Sequence, residues 1–393
     1  PACDLAAGSK PREKITADIT ANRTLTSDKV WELEGIVHVA DGVTLTVEPC
    51  TRIEGAKDPI GVLVVSRGGK IIANGTADAP ILMTSKVAVG SRAAGDWGGL
   101  VLLGKAATND GEALVEGLVD DPANKYGGSD NADSSGSLEY LRIEYAGFQL
   151  ATDVEVNGLT MGSVGSGTKI SHVMVSNSLD DCFEWFGGTV SADHLICNSD
   201  GDDMFDADRG FTGTITNAFG RKLENPSNDP NGFEWDNNRN DNAATPVSKP
   251  NFKNVTLCGF GVDVSVASYG MVIRRGAQAT IDELVAVGFD YGIDARDGVG
   301  TTGASTLAVT NSTLFDMVKG VTNAAETDND NGFDEAAWFA AGAGNTTTDP
   351  GFNTADCLAG DGEGPNAKVT GSGRGAFKDG DWLTGAWVDW SSK

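Results

Sequence analysis

Residues 172–188, HVMVSNSLDDCFEWFGG, and residues 194–210, HLICNSDGDDMFDADRG, superimpose at an offset of 22. His172 meets His194, Asp180 meets Asp202, Asp181 meets Asp203, Phe183 meets Phe205 and Gly188 meets Gly210. The apolar Val173, Val175 and Cys182 meet Leu195, Cys197 and Met204. One structural unit is written twice, which is the mark of a solenoid. Its second half recurs as Gly232-Phe233-Glu234-Trp235-Asp236, 28 residues after Phe205, with the polar stretch Arg221–Asn231 supplying the extra length as a surface loop. Met271-Val272-Ile273-Arg274 and Gly292-Ile293-Asp294-Ala295-Arg296 are weaker copies that keep apolar and polar positions alternating.

Working outward, Val37–Pro49, Gly61–Val65 and Ile71–Thr76 also alternate with period two, in short runs bounded by Gly, Asp or Pro. Apolar spacing of the helical kind is confined to the short, Ala-rich Asp334–Ala341. The expected fold is all-β: a right-handed parallel β-helix of about 22 residues per rung, with three strands of about five residues and a turn at each corner. Parallel stacking sets equivalent residues about 4.8 Å apart, so inward side chains form ladders and no rung is stable alone. A barrel or a sandwich would need hairpin signals in place of a same-direction repeat. Residues 1–30, with the helix-compatible Pro11–Ala17, are expected to cap the first rung. Residues 31–370 are read as a single β-helix with loop insertions, and 371–393 as a C-terminal cap holding Trp382, Trp387 and Trp390.

The chain has 393 residues, of which 52 are Gly, 40% hydrophobic and 22% charged, which excludes a disordered polyelectrolyte. Its 29 basic and 56 acidic residues leave a net charge of −27, so nucleic acid is not an expected partner. No uncharged apolar run reaches about 18 residues, so no transmembrane segment is expected, and any export signal is expected to be gone before Pro1. Six cysteines without a C-x-x-C spacing argue against a metal–thiolate site and allow up to three disulfides in a secreted chain. Cys3 and Cys50 are a candidate pair tying the N-terminus to an early strand. Cys182 and Cys197 fall at inward positions and read as core cysteines.

Several segments resemble a group of uncharacterised bacterial exported proteins and lipoproteins with a right-handed, pectate-lyase-like parallel β-helix. They are Asn74–Ile81, Gly95-Asp96-Trp97-Gly98-Gly99-Leu100, Leu138–Gly147, Phe183–Val190, Gly201–Asp206 and Phe233–Asp236. The resemblance spans roughly residues 30 to 390. It implies the β-helix and an extracellular or bacterial outer-surface location, and it brings no established activity.

With Phe183, Phe205 and Phe233 inward, alternation turns Glu184, Asp206 and Glu234 outward in one column and Phe186, Asp208 and Asp236 in a second. Stacked carboxylates repel, so the ladder needs a cation, a basic partner or protons. Calcium, which takes six to eight oxygens in loose geometry, is the expected cofactor. Its candidate ligands are Asp180, Asp181, Glu184, Asp202, Asp203, Asp206, Asp208, Glu234 and Asp236, with Asp200 at the same corner. Arg209, Arg274 and Arg296 offer salt bridges as the alternative. Two further acidic loops, Asp130–Ser134 and Asp328–Asp334, match calcium loops only loosely.

The expected function is a non-enzymatic structural or adhesion protein, partnered by copies of itself or by a surface glycan. The alternative is a polysaccharide-active enzyme, a uronic-acid lyase or a hydrolase. For it, Asp180-Asp181-Cys182 and Gly201-Asp202-Asp203 are similar to the Gly-Asp-Asp-Cys motif that carries acids of polygalacturonases. Asp181, Asp202, Asp203 and Arg274 would be its catalytic residues. None of His38, His172 and His194 is flanked by glycines as that motif's histidine is, which puts the hydrolase in doubt.

Overall fold

From the strand Gly136–Glu144 onward, rungs of the chain turn one corner on a single residue with left-handed backbone geometry. In the computed structural model, the strand Ala192–Asn198 bends at His194, whose φ is 55°. The ladder skips that residue: Ser171 pairs with Asp193 and Val173 with Leu195. Tyr140, His172, His194, Asn217, Asn254, Glu283 and Asn311 all have φ between 50° and 61° and form one corner column. Asn and His tolerate this region better than most side chains. The structure describes residues 3–151, 154–223, 230–297, 307–323, 330, 332–360 and 362–391.

Strands of successive rungs pair in parallel to build a fifteen-stranded and a nine-stranded sheet. A rung contributes one strand to the nine-stranded sheet, such as Phe183–Phe186, and a bent strand to the other, so it has three straight runs. Phe183 pairs with Phe205 and Phe205 with Phe233, so the two duplicated segments and the third copy stack in the register expected from the repeat. Met271 and Ile293 continue the ladder.

Inward residues of the nine-stranded sheet form two ladders. Leu63, Leu100, Leu159, Phe183, Phe205, Phe233, Met271 and Ile293 make the first, all buried. The Phe183 and Phe205 rings stack at 5.4 Å, and Phe252 from the opposite wall meets Phe205 and Phe233 edge-on. In the second ladder Ala207 lies between Trp185 and Trp235, so a small residue separates the two largest and the core stays filled without overlap.

The ends and flanks differ from expectation in three respects. Arg12–Ile15, inside the helix-compatible stretch, is a strand paired with Val30–Leu33. A segment this short gains little as an isolated helix. As a strand it buries Ile15 and sets Arg12 against Glu32 and Glu54, at 2.7 and 2.6 Å. The C-terminal tryptophans lie on the flank and not over the last rung. Trp387 packs with Met174, Ile196 and Phe219 on the outer side of the fifteen-stranded sheet, and its N–H reaches Ala77 O at 3.2 Å. That outer column is apolar on these rungs and has to be covered. The helix Glu335–Ala341, in the segment read as helix-spaced, lies at the last strands instead: Phe339 joins the core and Glu335 accepts the Ala295 N–H. Third, Cys182 and Cys197 are not free core thiols. They form a disulfide, as do Cys3 with Cys50 and Cys258 with Cys357. Both had been assigned inward positions, and stacking between rungs brings them within bonding reach.

No helix of the described residues is long and apolar enough to cross a membrane. Phe205→Ala should lower stability by about 3–5 kcal/mol, because the ladder on both sides cannot collapse into the cavity. Val262→Ala, at a position 60% exposed, should stay within about 0.5 kcal/mol. Denaturant unfolding followed by tryptophan fluorescence checks both.

Candidate metal centre

The outward column of the nine-stranded sheet reads Thr160, Glu184, Asp206, Glu234, Val272, Asp294 in ladder register. Three consecutive rungs therefore present a carboxylate at one position. They are not exposed. Glu184 and Glu234 are each 9% accessible, and Asp206 between them is only partly so. An insertion with the hairpin Ala113–Leu114 and Lys125–Tyr126 packs Val115, Leu118 and Tyr126 against Phe186 and the earlier rungs of this face. The insertion thus covers the face up to Phe186 and brings Glu116 near Glu184, while Asp206 on the next rung stays partly accessible.

At the adjoining corner a second column runs Asn157, Asp181, Asp203, Asn231, each two residues before an inward ladder residue. Asp181 Oδ1 accepts the Asp203 N–H at 2.8 Å, Asp203 Oδ1 accepts the Asn231 N–H at 2.9 Å and Asn231 Oδ1 accepts the Tyr269 N–H at 3.1 Å. Asp181, Asp203 and Asn231 thus each satisfy a backbone donor of the next rung, while Asn157 donates to Thr160 and Glu184. Asp181 and Asp203 are thus fixed in the frame, 4% and 1% exposed.

The two columns converge. Asp181, Glu184 and Asp206 place one oxygen each within 4.8 Å of one another, and so do Asp203, Asp206 and Glu234, which makes Asp206 the shared member. Asp180, Asp181 and Asp202 form a third such group at the corner. Asp208 and Asp236 join none of these groups. Asp236 pairs with Arg274 at 2.7 Å and also with Arg275, and Arg274 pairs with Glu234. Arg209 reaches Asp110 and lies 3.7 Å from Asp208, and Arg296 pairs with Asp294 at 2.5 Å. The candidate ligands thus divide into an arginine-paired end and an acid-only end. Asp200 belongs to neither: it is buried against Lys222.

At the acid-only end, Glu184 accepts from Asn157 Nδ2, and Asp206 Oδ1 is buried with no hydrogen-bond partner among the described residues. Burial, then Glu184 and Glu234, push the Asp206 carboxyl well above the usual range. Burial raises Asp181, Glu184 and Asp203 likewise, with Asp180, Glu116 and Asp202 respectively as the largest added charges. Burial and Asp236 raise Asp208 to about 7, and burial raises Asp200 to about 6 against the pull of Lys222. At Arg274 burial alone would lower the pKa, but Glu234 and Asp236 more than offset it and hold the guanidinium firmly charged. Oxygen-only donors, one of them an orphan, suit a hard cation. They suit proton transfer to a substrate less well, because Asp181 and Asp203 are closed off and occupied by backbone N–H groups. Of the residues of the enzyme alternative, Asp181 and Asp202 meet in the corner group, Asp203 joins the group with Asp206 and Glu234, and Arg274 stands with Glu234 and Asp236.

Sequence reasoning passed over Asn157, Asn231 and Lys222. For the first two a signal existed: Asn157, Asp181, Asp203 and Asn231 each precede the inward residue by two, a repeat as regular as the phenylalanines. Of the loose calcium-loop matches, Asp130 and Asp133 bond to nearby backbone N–H groups, Ala132 and Lys105, and Asp334 caps the helix at Ala337. Asp328, Asn329 and Asn331 lie outside the described residues.

A family model described as a pectate-lyase-like β-helix domain matches residues 17–357. No curated protein and no solved structure matches the chain.

In divalent-free buffer the acid cluster should make stability fall as pH rises. The unfolded chain sheds these protons near pH 4, whereas the fold keeps the Asp208 proton to about 7 and raises Asp206 as well. Stability is therefore full below the ordinary carboxylate range and is lost as pH climbs through the raised values. Melting in chelator at pH 5 and pH 8 measures this, and Asp206→Asn should flatten the slope. A midpoint higher at pH 8 would contradict the assignment.

Proposed function

From the chain's membership of the pectate-lyase-like β-helix domain family, we propose that it is a non-enzymatic extracellular structural or adhesion protein, stabilised by calcium in its acid column. The observation that carries this is the carboxylate cluster whose central member, Asp206, has a buried oxygen without a hydrogen-bond partner among the described residues. Asp181, Glu184, Asp203 and Asp206 would hold the ion, with Glu234 shared between it and Arg274. Calcium would supply the positive charge that the arginines supply one rung further on.

Three disulfides suit an oxidising compartment. A surface of net charge −27 suits cation-bridged contact with a surface glycan or with further copies of the chain. One observation favours the polysaccharide-active reading: Arg274 lies on the same outward face as Glu234 and Asp236, where a fixed positive charge and a cation site would adjoin to hold a uronic-acid carboxylate. The burial of Glu184, Glu234 and Asp236 weighs against substrate access.

Calcium at about 100 times its dissociation constant should add about 2.7 kcal/mol to stability, read as a raised melting midpoint that chelator reverses. Glu184→Gln combined with Asp206→Asn should abolish that increment. A midpoint indifferent to calcium and chelator would remove the cation from the account. Incubation with uronic-acid polymers should release no unsaturated or reducing ends, and product that disappears in Asp202→Asn or Asp203→Asn would replace the structural reading with the enzymatic one.

A further inference from the structure

The tripeptide Arg-Ile-Glu occurs on two rungs of the fifteen-stranded sheet, as Arg52-Ile53-Glu54 and Arg142-Ile143-Glu144, with Leu82-Met83-Thr84 on the rung between them. Ile53, Met83 and Ile143 point into the core. Arg52, Leu82 and Arg142 therefore stand in one outward column. Each arginine serves the glutamate of its own rung: Arg52 Nε donates to Glu54 at 2.7 Å, and Arg142 Nη2 donates to Glu144 at 2.8 Å. Thr84 Oγ1 adds a bond to Glu144 at 2.9 Å. Leu82 is shorter than its neighbours, and a pocket opens over it. Arg52, Arg142 and Glu144 border this pocket, together with Val89 and Arg92 from the loop that follows.

Arg92 is the unusual member. Its Nε donates to Val87 O at 2.9 Å, and its guanidinium lies 5.9 Å from the Tyr145 ring centre. No carboxylate among the described residues is within ion-pair distance of it. Burial and the nearby Arg52 depress its pKa against the pull of Glu144 and Glu54, so it is a half-buried cation. Arg52 and Arg142 are matched by Glu54, Glu144 and Asp389, which leaves the charge of Arg92 in excess at this pocket.

We propose that this pocket binds an organic monocarboxylate, its two oxygens on the terminal nitrogens of Arg92 and its apolar body on Leu82 and Val89. A guanidinium fork matches a planar carboxylate bidentately. Glu144 and Asp389 at the rim repel a multiply charged phosphate more than a single negative charge. Asp389 itself is held by Arg142 at 2.9 Å, so the C-terminal segment closes one side of the pocket. The site is on the other sheet from the acid column and is independent of the cation reading.

Isobutyrate is a suitable probe, titrated into the full chain in chelator-containing buffer and followed by calorimetry and melting. Isobutyramide and inorganic phosphate serve as comparators. Isobutyrate should bind saturably, and both comparators more weakly. Arg92→Ala should weaken isobutyrate about tenfold or more, the loss of a charged hydrogen-bond pair, while leaving the ligand-free melting midpoint unchanged. Val89→Trp, at a site 75% exposed, should also abolish binding by filling the pocket. The proposal fails if the wild-type chain shows no saturable binding, if isobutyramide or phosphate binds as well as isobutyrate, or if Arg92→Ala and Val89→Trp leave isobutyrate affinity unchanged.

Discussion

In-register parallel stacking is the constraint on which everything else in this molecule depends. Each residue meets its counterpart on the rungs above and below at about 4.8 Å, so like is set over like. For Phe183, Phe205 and Phe233 that is favourable, since rings of similar size pack, stacked in the first pair and tilted in the second, and exclude water. Where like-on-like would overfill, the sequence alternates size, as with Trp185, Ala207 and Trp235. The corner column obeys the same rule: rungs that bend by one left-handed residue must bend at the same place to keep their ladders.

The same stacking is unfavourable for Glu184, Asp206 and Glu234, and the molecule answers it differently along the column. Beyond Asp206, arginines from the next rungs enter the stack, Arg274 against Glu234 and Asp236 and Arg296 against Asp294. At the corner, Asp181 and Asp203 take the place that Asn157 and Asn231 hold on flanking rungs and direct an oxygen to a backbone N–H. Between these two solutions lies Asp206, which feels Arg274 only at a distance and whose Oδ1 is buried without a hydrogen bond among the described residues; burial and its acid neighbours favour the protonated form there. On the other sheet, Arg52 and Arg142 meet the same problem by pairing within their own rungs, which leaves Arg92 in excess above Leu82.

A β-helix must also cover whatever its outward columns leave apolar. Met174, Ile196 and Phe219 make an apolar stripe along one flank, and the C-terminal segment is drawn there by burial of Trp387 and Phe377. The Cys258–Cys357 disulfide fastens that segment to the sheet. The last strands are left to the helix Glu335–Ala341, whose Phe339 completes the core. The location of the tryptophans thus follows from where apolar area lay exposed, not from their position at the end of the chain.

The repeat, the strand class and the inward ladder of Phe183, Phe205 and Phe233 with the outward column of Glu184, Asp206 and Glu234 were legible in one chain, because a period written into the sequence is also the period of the stack. Pairing Phe183 with Phe205 automatically pairs Glu184 with Asp206. What only the tertiary structure decided is which stacked groups bond to one another and where the segments outside the repeat lie. It joined Cys182 to Cys197 and bound Asp236 to Arg274 and Arg275, seated the C-terminal tryptophans on a flank, and packed the insertion bearing Tyr126 against Phe186. It also raised Arg92 over a gap left by Leu82. Such contacts depend on how far a loop reaches and which surface it buries, and no local pattern encodes either quantity.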